Sequence, residues 1–151
     1  MKFLVTILLL TLSIMAANIK TTVQNNGQQV YLIEKGQSFM HFTPHPKEVI
    51  HAHESDFFTA STTIQQISSL KLIYSSHNDN YHPACEFIIE IQQDALSQLF
   101  VVKKIVTNKL RPIVGLKCDN NMLDFNPSTG DADVLMNMTI PNSAKHIKKI
   151  H

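Results

Sequence analysis

The 151-residue chain is 44% hydrophobic and carries 13 basic against 12 acidic side chains, a net charge of +1. That is enough for one domain with one real core, and balanced charge with Arg111 as the only arginine excludes the clustered basic face that nucleic acid demands. The charge that can change is histidine: eight imidazoles, mostly neutral at about pH 7 and largely cationic near about pH 5.

Met1-Lys2, the apolar run from Phe3 to Leu12 and the segment Ser13 to Ala17, ending in two small residues, have the layout of a secretory leader. A run this short, met at once by Asn18 and Lys20, is a signal peptide over residues 1–17 and not a membrane span. No other segment is apolar enough to cross a bilayer, so a secreted or periplasmic mature chain is expected. The two cysteines, Cys85 and Cys118, are expected to pair in such a compartment. Their bridge would close a loop of about 34 residues, worth roughly 3–4 kcal/mol in chain-entropy terms.

Asn18 to Val23 and Val30 to Ile33 are β-rich runs separated by Asn25-Asn26-Gly27, which predicts a hairpin. Lys35-Gly36-Gln37 predicts a second turn, with a third strand over Ser38 to Phe42. A segment dense in histidine and proline follows, from His41 to Asp56, holding four of the eight histidines. Proline lacks an N–H and has a fixed φ, so this piece is expected to be an extended loop.

Phe57 to Thr63 resumes strand character, with Phe57/Thr59 and Phe58/Ala60 on opposite faces. Leu70, Leu72 and Tyr74 share a face, and Ser75 to Pro83 is a polar loop with His77 and His82. Cys85, Phe87, Ile89 and Ile91 alternate with Glu86, Glu90 and Gln92, the clearest strand with one wet face. From Asp94 to Leu110 two readings stand side by side. Asp94 suits a helix cap and Leu96, Leu99, Phe100, Val106 and Leu110 fall at helical spacing, whereas Val101, Val102, Ile105 and Thr107 favour a strand. Ile113 to Cys118 predicts a strand, Asp119-Asn120-Asn121 a turn and Met122 to Phe125 a short strand. Val134, Met136, Met138 and Ile140 alternate in a last strand, stopped by Pro141. The fold class is therefore mainly β: a single-domain β-sandwich of about eight short strands over residues 18–141, becoming α+β if 94–110 is helical. Residues 142–151 form a basic, flexible tail.

His51-Ala52-His53 would place two imidazoles on one face if the backbone there is extended, a workable pair for zinc or copper, with His41, His45, Glu54 or Asp56 as further ligands. The other readings of these histidines are a solvated loop and a pH sensor. His51-Ala52-His53-Glu54 is superficially similar to the copper-ligand strand of copper/zinc superoxide dismutases, but the chain has only four glycines and lacks a counterpart of their zinc loop. No Gly-x-Ser-x-Gly elbow supports nucleophilic catalysis. Glu86 and Glu90 read as a solvated strand face, Asp131-Ala132-Asp133 as a turn, and Asn137-Met138-Thr139 as a glycosylation sequon within a strand.

Thr22-Val23-Gln24-Asn25-Asn26-Gly27, Lys35-Gly36-Gln37-Ser38-Phe39, Thr43-Pro44-His45-Pro46-Lys47-Glu48-Val49-Ile50, Phe57-Phe58-Thr59-Ala60 and Leu70 to Tyr74 follow in an order that resembles the aegerolysin-type β-sandwich. The resemblance spans residues 19–92 and implies a small secreted or surface-acting protein that recognises membrane lipid. The chain departs from that family in having no Trp and few glycines. The resulting expectation is a non-catalytic binding protein, without a required cofactor, whose partner is membrane lipid or another protein. The contact residues would lie in the two histidine-bearing loops: His41, His45, His51 and His53 in one, His77 and His82 in the other. A histidine-centred metal protein using His51 and His53 is the alternative, and an inhibitor or immunity protein for a secreted hydrolase is a third.

Overall fold

A computed structural model describes residues 17–37, 40–62 and 68–142. Apart from Ala17 and Asn142, the expected leader and tail lie outside the described residues, as do Ser38, Phe39 and Thr63. The described chain is all β, with ten strands: β1 Asn18–Asn25, β2 Val30–Gln37, β3 Met40–Thr43, β4 Val49–Ile50, β5 Ser55–Thr62, β6 Ser68–Ser75, β7 Ala84–Gln93, β8 Phe100–Leu110, β9 Lys117–Phe125 and β10 Ala132–Thr139. They form two five-stranded sheets, ordered β3-β5-β1-β10-β9 and β4-β2-β6-β7-β8. Every neighbouring pair is antiparallel except β1 and β10, which run parallel from Ile19↔Ala132 to Asn25↔Met138.

Period-2 alternation places the core between the sheets. Ile19 and Val23, Phe58 and Ala60, and Val134, Met136 and Met138 face inward from the first sheet. Leu70, Leu72, Tyr74, Phe87, Ile89 and Ile91 meet them from the second. Cys85 on β7 and Cys118 on β9 are joined by a disulfide with Cα atoms 5.6 Å apart, so the bridge ties one sheet to the other.

Four expectations are corrected, and the choice left open over residues 94–110 is settled. Asn25-Asn26-Gly27 is not a hairpin, because β1 and β2 belong to different sheets and the chain crosses the sandwich there. The crossing is bonded to the end of β10 instead: Asn26 N donates to Met138 O (2.8 Å) and Gln28 N to Ile140 O (3.2 Å). A Cβ at Gly27 would lie 2.6 Å from the Ile140 backbone, so only glycine fits this approach. Lys35-Gly36-Gln37 is no turn: it continues β2, with Gly36 opposite Lys71. Residues 94–110 contain no helix. Asp94 closes a turn by accepting from Leu96 N (3.2 Å) and Ser97 N (2.7 Å), Gln98 takes a left-handed φ of 60°, and the β-branched run enters β8 beside β7. Finally, Ile113–Leu116 is loop, whereas Asp119-Asn120-Asn121 lies inside β9, paired with Asn137, Met136 and Leu135.

The Tyr74 hydroxyl is fully buried and has no hydrogen-bond partner among the described residues, with the Phe87 ring 6.4 Å away in an edge-on contact. Burial, reinforced by the charge of Asp56, pushes the phenol well above its ordinary range. An orphaned buried hydroxyl costs about 1–3 kcal/mol. Tyr74→Phe is therefore expected to leave urea stability unchanged or raise it by up to about 1 kcal/mol; a loss of stability would show that the hydroxyl is satisfied.

Candidate functional site

The histidine- and proline-rich segment is held from beneath by two buried polar side chains. Asn25 continues the inward alternation of β1 and is fully buried. Its Nδ2 donates to Gln28 O (2.7 Å), His51 O (3.0 Å) and Ile50 O (3.3 Å), while Oδ1 accepts from Gly27 N (3.0 Å). Asp56, also buried, accepts from Lys47 N (2.7 Å) and from Phe57 N (2.9 Å). Leu32 N donates to Glu48 O (2.9 Å), and β4 adds to the edge of β2. The Thr43–Pro44 peptide is cis and Pro46 is buried. The expected extended loop is thus broken into β3, a proline passage, the short β4 and a turn.

That turn decides the geometry of His51 and His53. Glu54 N donates to His51 O (3.2 Å) and His53 has a φ of 62°, so the extended backbone that would align the two imidazoles is not present. His51 Nδ1 lies 2.8 Å from Gln29 Oε1. His53 is exposed, His41 is exposed on β3, and the exposed His45 ring sits 6.4 Å from Phe42. Among the described residues, no three His, Cys, Asp or Glu side chains converge as a metal centre.

The second loop brings its histidines together. The His77 and His82 rings stack with centroids 3.7 Å apart and planes inclined by 23°. His82 Nδ1 is 2.7 and 2.9 Å from the two Asp79 oxygens, and His77 Nδ1 is 3.1 Å from Ser76 Oγ. The His82 hydrogen bond, followed by that from Tyr81 N, holds the Asp79 carboxyl below the usual carboxylate range.

The two loops share one groove. Tyr31, Ile33 and Lys35 of β2 line an open groove of about 730 Å³ together with His45 and Glu48, and Asn78 of the second loop lines it too. A register shift between Leu32 and Glu34 makes Ile33 the extra residue of a β-bulge, which bends β2 beneath the groove. Strand pairing also fixes which loops are neighbours. Tyr31 pairs with Ser75 and Ala84 with Leu110, so the turns after Asn25 and Ile50 and the loops 76–83 and 111–116 emerge at one end of the sandwich. Here Tyr81 and Val114 are each 84% exposed, with Ile113 half-exposed beside Val114. Neither is marked as exposed by the sequence, since Tyr81 sits in a polar loop with no periodicity and Val114 lies where a strand is expected. Asn25 was visible in principle, as the amide that ends the inward series Ile19, Thr21, Val23.

No family model and no curated protein matches the sequence. Among solved structures, the chain is similar in fold to IP-1A from Alcaligenes faecalis, with a TM-score of 0.50, 6% identity, and coverage of 83% of this chain and 91% of that one.

Asn25→Ala removes every bond of the buried amide and is expected to cost roughly 2–3 kcal/mol in urea unfolding. Amide exchange should accelerate first in residues 48–54; uniform acceleration would contradict the local role. Because Asp79 is depressed in the folded chain, its pair with His82 supports the loop above the ordinary carboxylate range and is lost as pH falls through the lower folded value. A carboxyl titration by NMR should find Asp79 below its ordinary value and His82→Ala should move it back up.

Proposed function

We propose that this chain is a secreted, non-catalytic binding protein that works at a membrane surface through the loop end of its sandwich. The observation that carries the reading is the pair of exposed apolar side chains, Tyr81 and Val114, on loops flanking the paired strands β7 and β8. Tyrosine joins an apolar ring to a hydroxyl and suits the boundary between lipid and water. The histidine stack and the groove lie on the same end, where a headgroup would be met. The disulfide fits an oxidising compartment, the leader-like start fits export, and the resemblance of residues 19–92 to aegerolysin-type proteins supports lipid as the partner. The β-sandwich shared with IP-1A agrees with that architecture and carries no functional weight.

The groove itself favours a second reading, a protein partner that threads a peptide between β2 and the proline passage. Sedimentation with phosphatidylcholine vesicles, with and without phosphatidylserine, separates the two. Burying a residue of this size is worth about 1.5–3 kcal/mol, so the double variant Tyr81→Ser/Val114→Ser should lose roughly tenfold or more in vesicle affinity while keeping its fold. Unchanged vesicle binding in the double variant, or none in the parent chain, would refute the membrane reading. Capture of a defined protein that His45→Ala weakens would support the second.

A further inference from the structure

Away from the loop end, the outer face of the β3-β5-β1-β10-β9 sheet carries a groove of about 340 Å³. Strand register lays out its floor: Thr43, Thr59, Lys20 and Asp133 are successive partners across β3, β5, β1 and β10, and Phe57 and Thr22 pair in an adjacent row. Its walls are apolar. Phe57 pairs with Thr22 on one side and lies beyond the end of β3 on the other, where it is 63% exposed with Pro44 lining the same groove. Opposite, the register of β9 against β10 shifts between Asp133 and Val134, leaving Leu123 as the extra residue of a bulge. The bulge aims Leu123, 58% exposed, at the groove.

The floor is chemically unspent. Lys20 and Asp133 are register partners with opposite charges, yet neither forms an ion pair, and neither they nor Thr22 and Thr59 make a side-chain hydrogen bond among the described residues. A second groove, of about 370 Å³, shares Lys20, Thr59 and Asp133 with the first and continues past Asp124, Asn126 and Asp131. The combined cleft therefore sets three carboxylates against one ammonium group.

We infer that this cleft, defined by Phe57, Leu123 and the unspent Lys20–Asp133 pair, binds an oligosaccharide of neutral or amino sugars. A pyranose has two faces of C–H bonds and a rim of hydroxyls. Its C–H face fits the negative face of the exposed Phe57 ring, and Leu123, three strands away at about 14 Å, offers an apolar contact to another sugar of the same chain. Its rim meets a floor that supplies donors from Lys20, acceptors from Asp133 and hydroxyls that do both. Neighbouring strands are about 4.8 Å apart, so the row from Thr59 to Asp133 spans roughly 10 Å and presents these groups along a chain of sugars. The excess of carboxylates repels sulfated or carboxylated glycans and favours an amino sugar.

Calorimetric titration of the full chain with N-acetylglucosamine tetramer, glucosamine tetramer, cellotetraose and a heparin hexasaccharide tests this. Saturable binding of a neutral or amino tetramer is expected, with Phe57→Ala and Asp133→Ala each weakening it about tenfold or more. Both side chains point outward, so both variants should fold, which circular dichroism checks. Tyr81→Ser should leave sugar binding intact, which separates this cleft from the loop end. The inference is overturned if no neutral or amino tetramer binds, if binding survives both substitutions, or if heparin binds best.

Discussion

The loop end depends on the way the chain crosses from one sheet to the other at Asn25-Asn26-Gly27. At that point backbone leaves the β1–β10 ladder inside the sandwich, where unmet carbonyls and amides are costly. The Asn25 amide supplies the missing partners, three carbonyls and one N–H, from a fully buried position. Two of those carbonyls belong to Ile50 and His51, so the same side chain that completes the crossing pins the histidine turn. Asp56, held by two backbone amides, anchors the segment at its other end. A proline-rich stretch that would otherwise sample many conformations is thereby fixed above β2, and the groove has a rigid wall.

The same two-sheet frame explains why grooves arise in two places. Sheet interiors are committed to packing, and the bridge between Cys85 and Cys118 keeps β7 and β9 together near the loop end. What varies is the ends and the outer faces. Bulges supply the variation within strands: one at Ile33 shapes the groove beside the proline passage, and another at Leu123 re-aims an apolar side chain on the outer face. Each inserts one residue without breaking the sheet, a small backbone change that makes a concave surface from a flat one.

Much of the fold was legible because period-2 alternation is a local signal. Cys85 to Ile91 and Val134 to Ile140 face inward as their patterns require, and the disulfide follows from there being two cysteines. The failures have a common physical source. Asn25-Asn26-Gly27 has the composition of a hairpin turn, but glycine serves there to admit the Ile140 backbone, a long-range demand that no local window contains. Asp94 caps equally well a helix or a turn, and the left-handed Gln98 settled which. Of the histidines, His51 and His53 suggested a pair by spacing and were parted by a turn. His77 and His82, five residues apart, stack because their loop folds back with Ser76 N donating to Pro83 O (3.2 Å). Tyr81 gave no pattern to read and Val114 read as part of a strand, because exposure at a loop tip depends on which strands pair.

Membrane contact through the loop end, as proposed, leaves the opposite end in water, although its turn 94–99 exposes Leu96 as well. Hydrogen–deuterium exchange of the full chain, with and without phosphatidylcholine–phosphatidylserine vesicles, tests it most directly. Slowed exchange is expected only in residues 76–83 and 111–116, with the turns 94–99 and 126–131 unaffected. Slowed exchange at those distal turns, or no difference anywhere, would contradict it.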